Sequence, residues 1–298
     1  MNSKNDVSVC IFGSHSRGSK DEVSDKDVLI CGSSRSEAYS LIHDWEEMGW
    51  SVAFYTWKRL DLMSKAGSLF LQHLKLEGDI IIDGSSRLKN VLKEYQPRKH
   101  YDEDFNSSLE LFRPTERIVK STQAAACMGD VLYTFLRNAM ILKLADKEIY
   151  LFDYSKLLEE FQQQGLLCEN DVGILKKLRL LKAAYRSRNF KFLNEIEIFE
   201  KSKPIVSAMF QLTSSEICAY SDIRCFKLPY ATLRDIEVRL VSQFGIPFLE
   251  NSNDQTLQKL WSMICDPRGY SWRTKSLNRE YTQSLSLSLK PPSSENLA

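Results

Sequence analysis

Short apolar runs alternate with amphipathic stretches in the first hundred residues of the chain. Four runs that are rich in β-branched and aromatic residues predict strands: 7–12, 27–31, 50–57 and 79–83. Three stretches with apolar residues at helical spacing predict helices: 36–48, 68–76 and 86–95. This order indicates an α/β or α+β unit, and we predict the α+β class with a small mixed sheet.

The pattern changes to helical spacing after residue 116, with little strand signal. Six stretches predict helices: 116–146, 154–165, 170–187, 193–198, 203–218 and 229–243. The polar segment 99–114 predicts a linker that runs into a first helix, and the Ser-rich end with a Pro pair predicts disorder. We therefore expect three parts: a first domain over 1–98, an all-α helical domain over 99–282 and a disordered tail over 283–298.

Composition narrows the classes of function. The net charge of +1 excludes a strongly basic field over the whole chain, although a local basic patch stays open. The seven cysteines are widely spaced with no Cys-x-x-Cys pair, which argues against a zinc site or a disulfide framework. No apolar window is long enough to span a bilayer, and the first residues lack a signal pattern. We expect a cytoplasmic protein with no membrane partner.

One segment carries a recognisable chemistry. Gly13 and Ser14 follow the first predicted strand, and Asp25 and Asp27 stand at the start of the second, with ten residues between Ser14 and Asp25. Glycine lets a backbone approach a phosphate closely, and Ser14 adds a hydroxyl and an N–H group. A helix beginning near Ser14 would add an anion site. Arg17 is expected to pair with a phosphate through its forked guanidinium; the alternative is a surface ion pair.

The two aspartates predict a metal site. Residues two apart on a strand share a face, so Asp25 and Asp27 are expected to lie side by side. Adjacent carboxylates repel unless a cation neutralises them, and hard oxygen ligands suit Mg²⁺, with Mn²⁺ as a substitute. Because Mg²⁺ completes its shell with phosphate oxygens, the pattern predicts a metal-bound nucleoside triphosphate (NTP).

Together, the Gly-Ser pair, the ten-residue gap and the Asp-x-Asp resemble the DNA polymerase β-type nucleotidyltransferase superfamily, in particular its minimal members. The resemblance covers roughly residues 7–97. It implies a nucleotidyltransferase domain over 1–98, followed by a helical domain. It also implies transfer of a nucleoside monophosphate from an NTP to a hydroxyl of a protein, a tRNA or a small molecule. A bacterial toxin–antitoxin or defence setting and a protein partner are part of that expectation.

The chain departs from the superfamily at the third carboxylate, which members usually supply from a later strand. The matching strand has no acid, and Ala53 is expected where the acid usually stands. Three explanations remain: a flanking acid such as Glu46, Glu47 or Asp61 replaces it; two carboxylates suffice at a reduced rate; or the domain binds nucleotide without turnover as a sensor or regulatory partner.

Other residues admit both a functional and a structural interpretation. His15 would touch a phosphate or face solvent, and His73 would contact a ligand or belong to the core. Asp83 is expected to be a turn or cap residue. Asp130, Tyr133 and Arg137 share a helix face and would line a cleft or be solvated. A basic set would be an RNA-binding face or a solvated one: Lys176, Lys177, Arg179, Lys182, Arg186, Arg188 and Lys191.

Overall fold

The four predicted strands form one sheet in the computed structural model, which describes residues 6–16, 18, 26–190, 194–212 and 229–265. The strands are β1 (Ser8–Phe12), β2 (Asp27–Gly32), β3 (Ser51–Thr56) and β4 (Asp79–Asp83). In the sheet order β3-β2-β1-β4, β2 and β3 are parallel and the other neighbours are antiparallel. The predicted α+β class with a small mixed sheet is confirmed.

Four helices accompany these strands: α1 (Tyr39–Glu47), α2 (Trp57–Lys65), α3 (Leu69–Glu77) and α4 (Arg87–Glu94). Helix α2 is not predicted by the sequence pattern, because the aromatic run before it is typical of a strand that continues through Trp57. The Thr56 side chain accepts a hydrogen bond of 3.2 Å from the backbone N–H of Arg59 and so caps α2. The strand therefore ends one residue before Trp57.

The two faces of the sheet bury separate apolar layers. Leu29 and Cys10 pack on one face against residues of α2, α3 and α4. Val28 and Ile30 pack on the opposite face against α1. Since side chains alternate along a strand, Asp27 belongs to the same face as Leu29. This places the Asp27 carboxylate at the end of the layer that α2 to α4 cover.

The segment 99–114 is not the polar linker that the sequence predicts. It contains α5 (Asp102–Ser108) and two short 3₁₀ turns, at Leu109–Leu111 and Arg113–Glu116. Tyr101, Phe105 and Phe112 are buried. Apolar side chains spaced widely among polar ones give no clear period, which is why the pattern resembled a linker.

The remaining elements of the described residues are helices: α6 (Thr122–Ala145), α7 (Tyr154–Gln163), α8 (Glu169–Ser187), α9 (Glu195–Met209), α10 (Pro229–Phe244), α11 (Ile246–Asn251) and α12 (Gln255–Cys265). The prediction of separate helices at 193–198 and 203–218 is wrong within the described residues, because α9 continues through Pro204. Gly129 allows α6 and α8 to approach closely, since a β-carbon there would lie 2.6 Å from Leu181 Cδ1.

The chain divides into two compact units. The first comprises Met1–Asp102 and Ile141–Leu157, and the second comprises Glu103–Met140 and Leu158–Ala298. The predicted domain limits stay predictions, and the predicted tail over 283–298 lies outside the described residues. Over the ranges that the structure covers, none of the helices has the length and apolar character needed to cross a membrane.

Candidate functional site

The turn that follows β1 has the conformation that only glycine adopts easily. Gly13 has a φ of +78°, and residues 13–16 form a turn rather than the start of a helix. Ser16 Oγ donates a hydrogen bond of 2.9 Å to the carbonyl oxygen of Gly13. A phosphate bound here would therefore meet the turn backbone and the half-buried Ser14 hydroxyl, not a helix N-terminus.

Asp27 lies directly beside this turn. It is the first residue of β2 and pairs with Phe12, the residue before Gly13. A β-carbon built on Gly13 would lie 3.4 Å from Asp27 Oδ2, so a side chain at position 13 would contact this carboxylate. The fold thus brings the turn residue Gly13, and with it the next residue Ser14, to the end of β2 where the half-buried Asp27 lies.

The other two predicted site residues, Asp25 and Arg17, lie outside the described residues. The shared face of Asp25 and Asp27 and the contact between Arg17 and a phosphate therefore stay predictions.

Strand β3 supplies no third carboxylate. The parallel register pairs Asp27 with the exposed Ser51 and Leu29 with Ala53. Ala53 packs against the apolar layer under α2 to α4. Of the flanking acids, Glu46 and Glu47 belong to α1, which packs on the face opposite to Asp27.

The remaining flanking acid, Asp61, is exposed on α2, which packs on the same face as Asp27. Of the three flanking acids, Asp61 is therefore the one whose helix packs on the face of the sheet that carries Asp27.

The donors at the turn fit a hard divalent cation. Asp27 offers carboxylate oxygens and Ser14 a hydroxyl, and Gly13 has no side chain to fill the space beside Oδ2. These are the oxygen ligands that Mg²⁺ and Mn²⁺ prefer. Two groups of three potential ligands occur elsewhere within the described ranges, and neither includes Asp27: His43, Asp44 and Glu47, and His100, Asp102 and Asp146.

Aromatic rings surround the turn, and sequence reasoning did not anticipate their arrangement. The His15 ring centroid lies 5.4 Å from that of Trp50, which immediately precedes β3. The sequence contained a signal for the position of Trp50: it precedes the first residue of β3, and in a parallel pair that residue lies beside Asp27, the first residue of β2. His15 is half-buried, so it does not simply face solvent.

His73 belongs to the core of the first unit. Its ring stacks on Phe152 with centroids 4.4 Å apart and meets Phe12 edge-on at 5.7 Å. His73 Nε2 lies 2.9 Å from a carboxylate oxygen of Glu77, one helical turn along α3. These contacts favour its structural interpretation.

Asp83 is a cap residue, as the sequence predicts. Its carboxylate accepts hydrogen bonds from the backbone N–H groups of Leu88 and Lys89 at the start of α4, at 3.2 and 2.9 Å. It also accepts a bond of 2.6 Å from Ser8 Oγ.

In the second unit, Asp130 neither lines a cleft nor faces solvent. It is fully buried, and its Oδ2 accepts hydrogen bonds from Arg186 and Arg234. Burial on its own would raise the pKa of Asp130, but the charges of Arg234 and Arg186 outweigh it and lower that pKa below its usual value. The carboxylate is therefore ionised inside a structural network.

Part of the basic set on α8 is engaged in similar contacts. Arg188 lies 3.3 Å from Glu250 and over the rings of Tyr185 and Trp261. Lys176 and Lys177 are exposed. Arg186 and Arg188 are therefore paired with carboxylates of the protein, and Lys191 lies outside the described residues. RNA binding by this face stays a prediction.

Comparisons with protein-family models, with curated proteins and with solved structures returned no match for this chain. The family assignment therefore stays a resemblance that depends on the residues of the turn and of β2.

Proposed function

We propose that the chain is a metal-dependent nucleotidyltransferase of the cytoplasm that transfers a nucleoside monophosphate from an NTP to an acceptor hydroxyl. Gly13 and Ser14, with Arg17, hold the phosphates. Asp25 and Asp27 hold Mg²⁺ or Mn²⁺. The acceptor is a protein side chain, a tRNA or a small molecule, and a bacterial toxin–antitoxin or defence setting fits such an activity.

One observation supports this proposal most strongly: a β-carbon at Gly13 would lie 3.4 Å from Asp27 Oδ2, so the carboxylate faces the side-chain-free side of the turn. Thirteen positions separate the two residues in sequence, and the β1–β2 pairing brings them to one edge of the sheet. A divalent ion held by Asp27 would therefore be next to a backbone turn that a phosphate can approach. Ser51, the β3 partner of Asp27, is exposed, which favours access from solvent on that side.

In the proposed reaction, the acceptor oxygen forms a bond to the α-phosphorus and the bond from that phosphorus to the bridging oxygen breaks. Pyrophosphate leaves with the bonding electron pair. The acceptor proton passes to solvent, because β3 carries no carboxylate to take it. A bound Mg²⁺ would supply charge neutralisation of the phosphate oxygens. The residues of the turn contribute by positioning.

A second candidate is a sensor or regulatory protein that binds NTP without turnover. It is favoured by the pairing of Ala53 with Leu29, which leaves an apolar residue where the superfamily resemblance implies an acid. This candidate shares the phosphate and metal site and differs only in the absence of transfer.

The two candidates are separated by incubating the full chain with each α-phosphate-labelled NTP, Mg²⁺ or Mn²⁺, and cell lysate. Transfer predicts label in a protein band, an RNA band or a small product, together with pyrophosphate release. Asp27→Asn should abolish the labelling, whereas Glu94→Gln, which removes an exposed carboxylate on α4, should retain it.

NTP binding without labelling or pyrophosphate release would favour the sensor. Labelling that persists in Asp27→Asn would refute the transferase assignment.

A further inference from the structure

The end of β3 beside Asp27 carries a tryptophan. Trp50 directly precedes Ser51, the register partner of Asp27, and the Ser51 backbone N–H donates a hydrogen bond of 2.7 Å to the carbonyl of Lys26. By strand alternation Trp50 belongs to the face opposite to Ser51. Trp50 is thus one residue from the register partner of Asp27, but it lies on the other face of the sheet and is not a candidate metal ligand.

Trp50 is the centre of an aromatic patch formed by His15, Trp45 and Trp50. The Trp45 and Trp50 centroids lie 5.0 Å apart at an interplanar angle of 79°, and the His15 centroid lies 5.4 Å from Trp50 at 57°. His15 is a residue of the same turn as Gly13 and Ser14. The patch is therefore continuous with the candidate phosphate site.

The exposure of the patch distinguishes it from ordinary core packing. All three rings are only partly buried, although Trp45 and Trp50 also contact the apolar layer under α1. Trp57 gives the contrast within the same unit: it is 3% exposed, and its Nε1 donates to the carbonyl oxygen of Asp6. Trp45 and Trp50 therefore keep ring surface that solvent, and a ligand, can reach, whereas Trp57 does not.

We propose that the aromatic patch holds the base of the NTP by stacking, an inference that rests on the proposed function. Phosphates at Gly13 and Ser14 would direct the nucleoside toward the rings that adjoin the same turn. Every nucleobase presents a π-face, and stacking does not read hydrogen-bonding edges. The patch therefore gives affinity for a base with weak preference among the four.

The test compares two ligands on the full chain by calorimetry: Mg-ATP, and Mg-tripolyphosphate, which has the phosphates but no base. The wild type should bind Mg-ATP more tightly. Trp50→Leu keeps an apolar side chain under α1 but removes the π-face. It should weaken Mg-ATP binding about tenfold and leave tripolyphosphate binding unchanged. Trp50→Phe, with a smaller ring, should recover part of the loss.

Histidine variants give a matched pair. His15→Gln should weaken Mg-ATP binding relative to tripolyphosphate, whereas His43→Gln, which changes an exposed histidine on α1, should alter neither. Unchanged tripolyphosphate binding in each variant also reports that the turn remains folded.

Equal losses for both ligands in Trp50→Leu, or no loss for either, would overturn the stacking proposal and leave the proposed function in place. If the wild type binds neither Mg-ATP nor Mg-tripolyphosphate, the proposed function and the stacking proposal are both overturned.

Discussion

Arg234 Nη2 donates a hydrogen bond of 2.6 Å to Asp130 Oδ2, and both side chains are buried. The bond joins α10 to α6 across 104 residues of sequence. Arg186 of α8 donates to the same oxygen at 3.1 and 2.8 Å, and Glu237 lies 2.6 Å from Arg234 Nη1. Three helices of the second unit are therefore connected through two carboxylates and two guanidinium groups, of which Asp130, Glu237 and Arg234 are buried and Arg186 is exposed.

Removing one charge from this network should destabilise the second unit strongly. Asp130→Asn leaves the buried Arg234 with one carboxylate, that of Glu237, in place of two, and we expect a loss of about 3–5 kcal/mol in the free energy of unfolding. Urea unfolding followed by helical circular dichroism measures the effect. Lys201→Gln is the control, because the Lys201–Glu197 pair on α9 is exposed and should scarcely shift the midpoint. Equal shifts in the two variants would contradict a structural role for the network.

The contribution of Asp130 should depend on pH with a definite sign. The native pKa of Asp130 is lower than its unfolded value of about 3.9, because the charges of Arg234 and Arg186 outweigh the effect of burial. A lowered carboxyl pKa stabilises the native state above the unfolded pKa and loses that contribution as pH falls through the native pKa. The stability difference between wild type and Asp130→Asn should stay constant from pH 8 to 5 and narrow below about pH 4. A difference that grows on acidification would exclude this account.

The described cysteines should differ sharply in reactivity. Burial, with a smaller effect of Asp79, raises the pKa of Cys10 to about 12, so at pH 8 about one thiol in ten thousand is ionised. Cys31 and Cys127 are buried and their pKa values are also raised, whereas Cys168 is exposed. Iodoacetamide at pH 8 should alkylate Cys168 and spare Cys10, Cys31 and Cys127 until urea unfolds the chain. Peptide mass spectrometry reads the result, and early modification of Cys10 would contradict the burial of β1.

Gly13 and Gly49 form a matched pair for testing the turn. Their φ angles are +78° and +79°, so alanine should cost each position a similar 1–2 kcal/mol, roughly, of backbone strain. Only at Gly13 does the new β-carbon face a carboxylate, 3.4 Å from Asp27 Oδ2; at Gly49 nothing lies within 4 Å. Calorimetry should show Mg-ATP binding weakened at least about tenfold in Gly13→Ala and unchanged in Gly49→Ala. Equal affinity of the two variants for Mg-ATP would show that the Gly13 turn does not bind the nucleotide.

The sheet was predictable from sequence because its strands are short apolar runs bounded by turn residues. Helix α2 was not, because Trp57 continues an aromatic run and only the Thr56 cap marks the end of the strand. Pro204 suggested a helix boundary, but α9 continues through it. Local sequence patterns predicted whether a long segment is a helix or a strand. They did not predict the boundaries that depend on a single residue.

The candidate site divides in the same way. Gly13, Ser14 and Asp27 could be identified from their types and spacing, and the β1–β2 register explains why they meet. The burial of Asp130 could not be identified, because its partner Arg234 lies 104 residues away and no local pattern relates the two. The His15–Trp50 contact joins two loop ends that only the parallel register of β2 and β3 brings together.

The central claim is that Asp25 and Asp27 bind the metal of an NTP held at the Gly13–Ser14 turn. The most direct measurement is the affinity for ATP by calorimetry, with Mg²⁺ and with chelator, for wild type, Asp25→Asn, Asp27→Asn and the control Glu94→Gln. We predict tight binding that requires Mg²⁺ in wild type and Glu94→Gln, and loss of the metal-dependent part in both site variants. Metal-dependent binding of wild-type strength in Asp25→Asn and Asp27→Asn would contradict the claim.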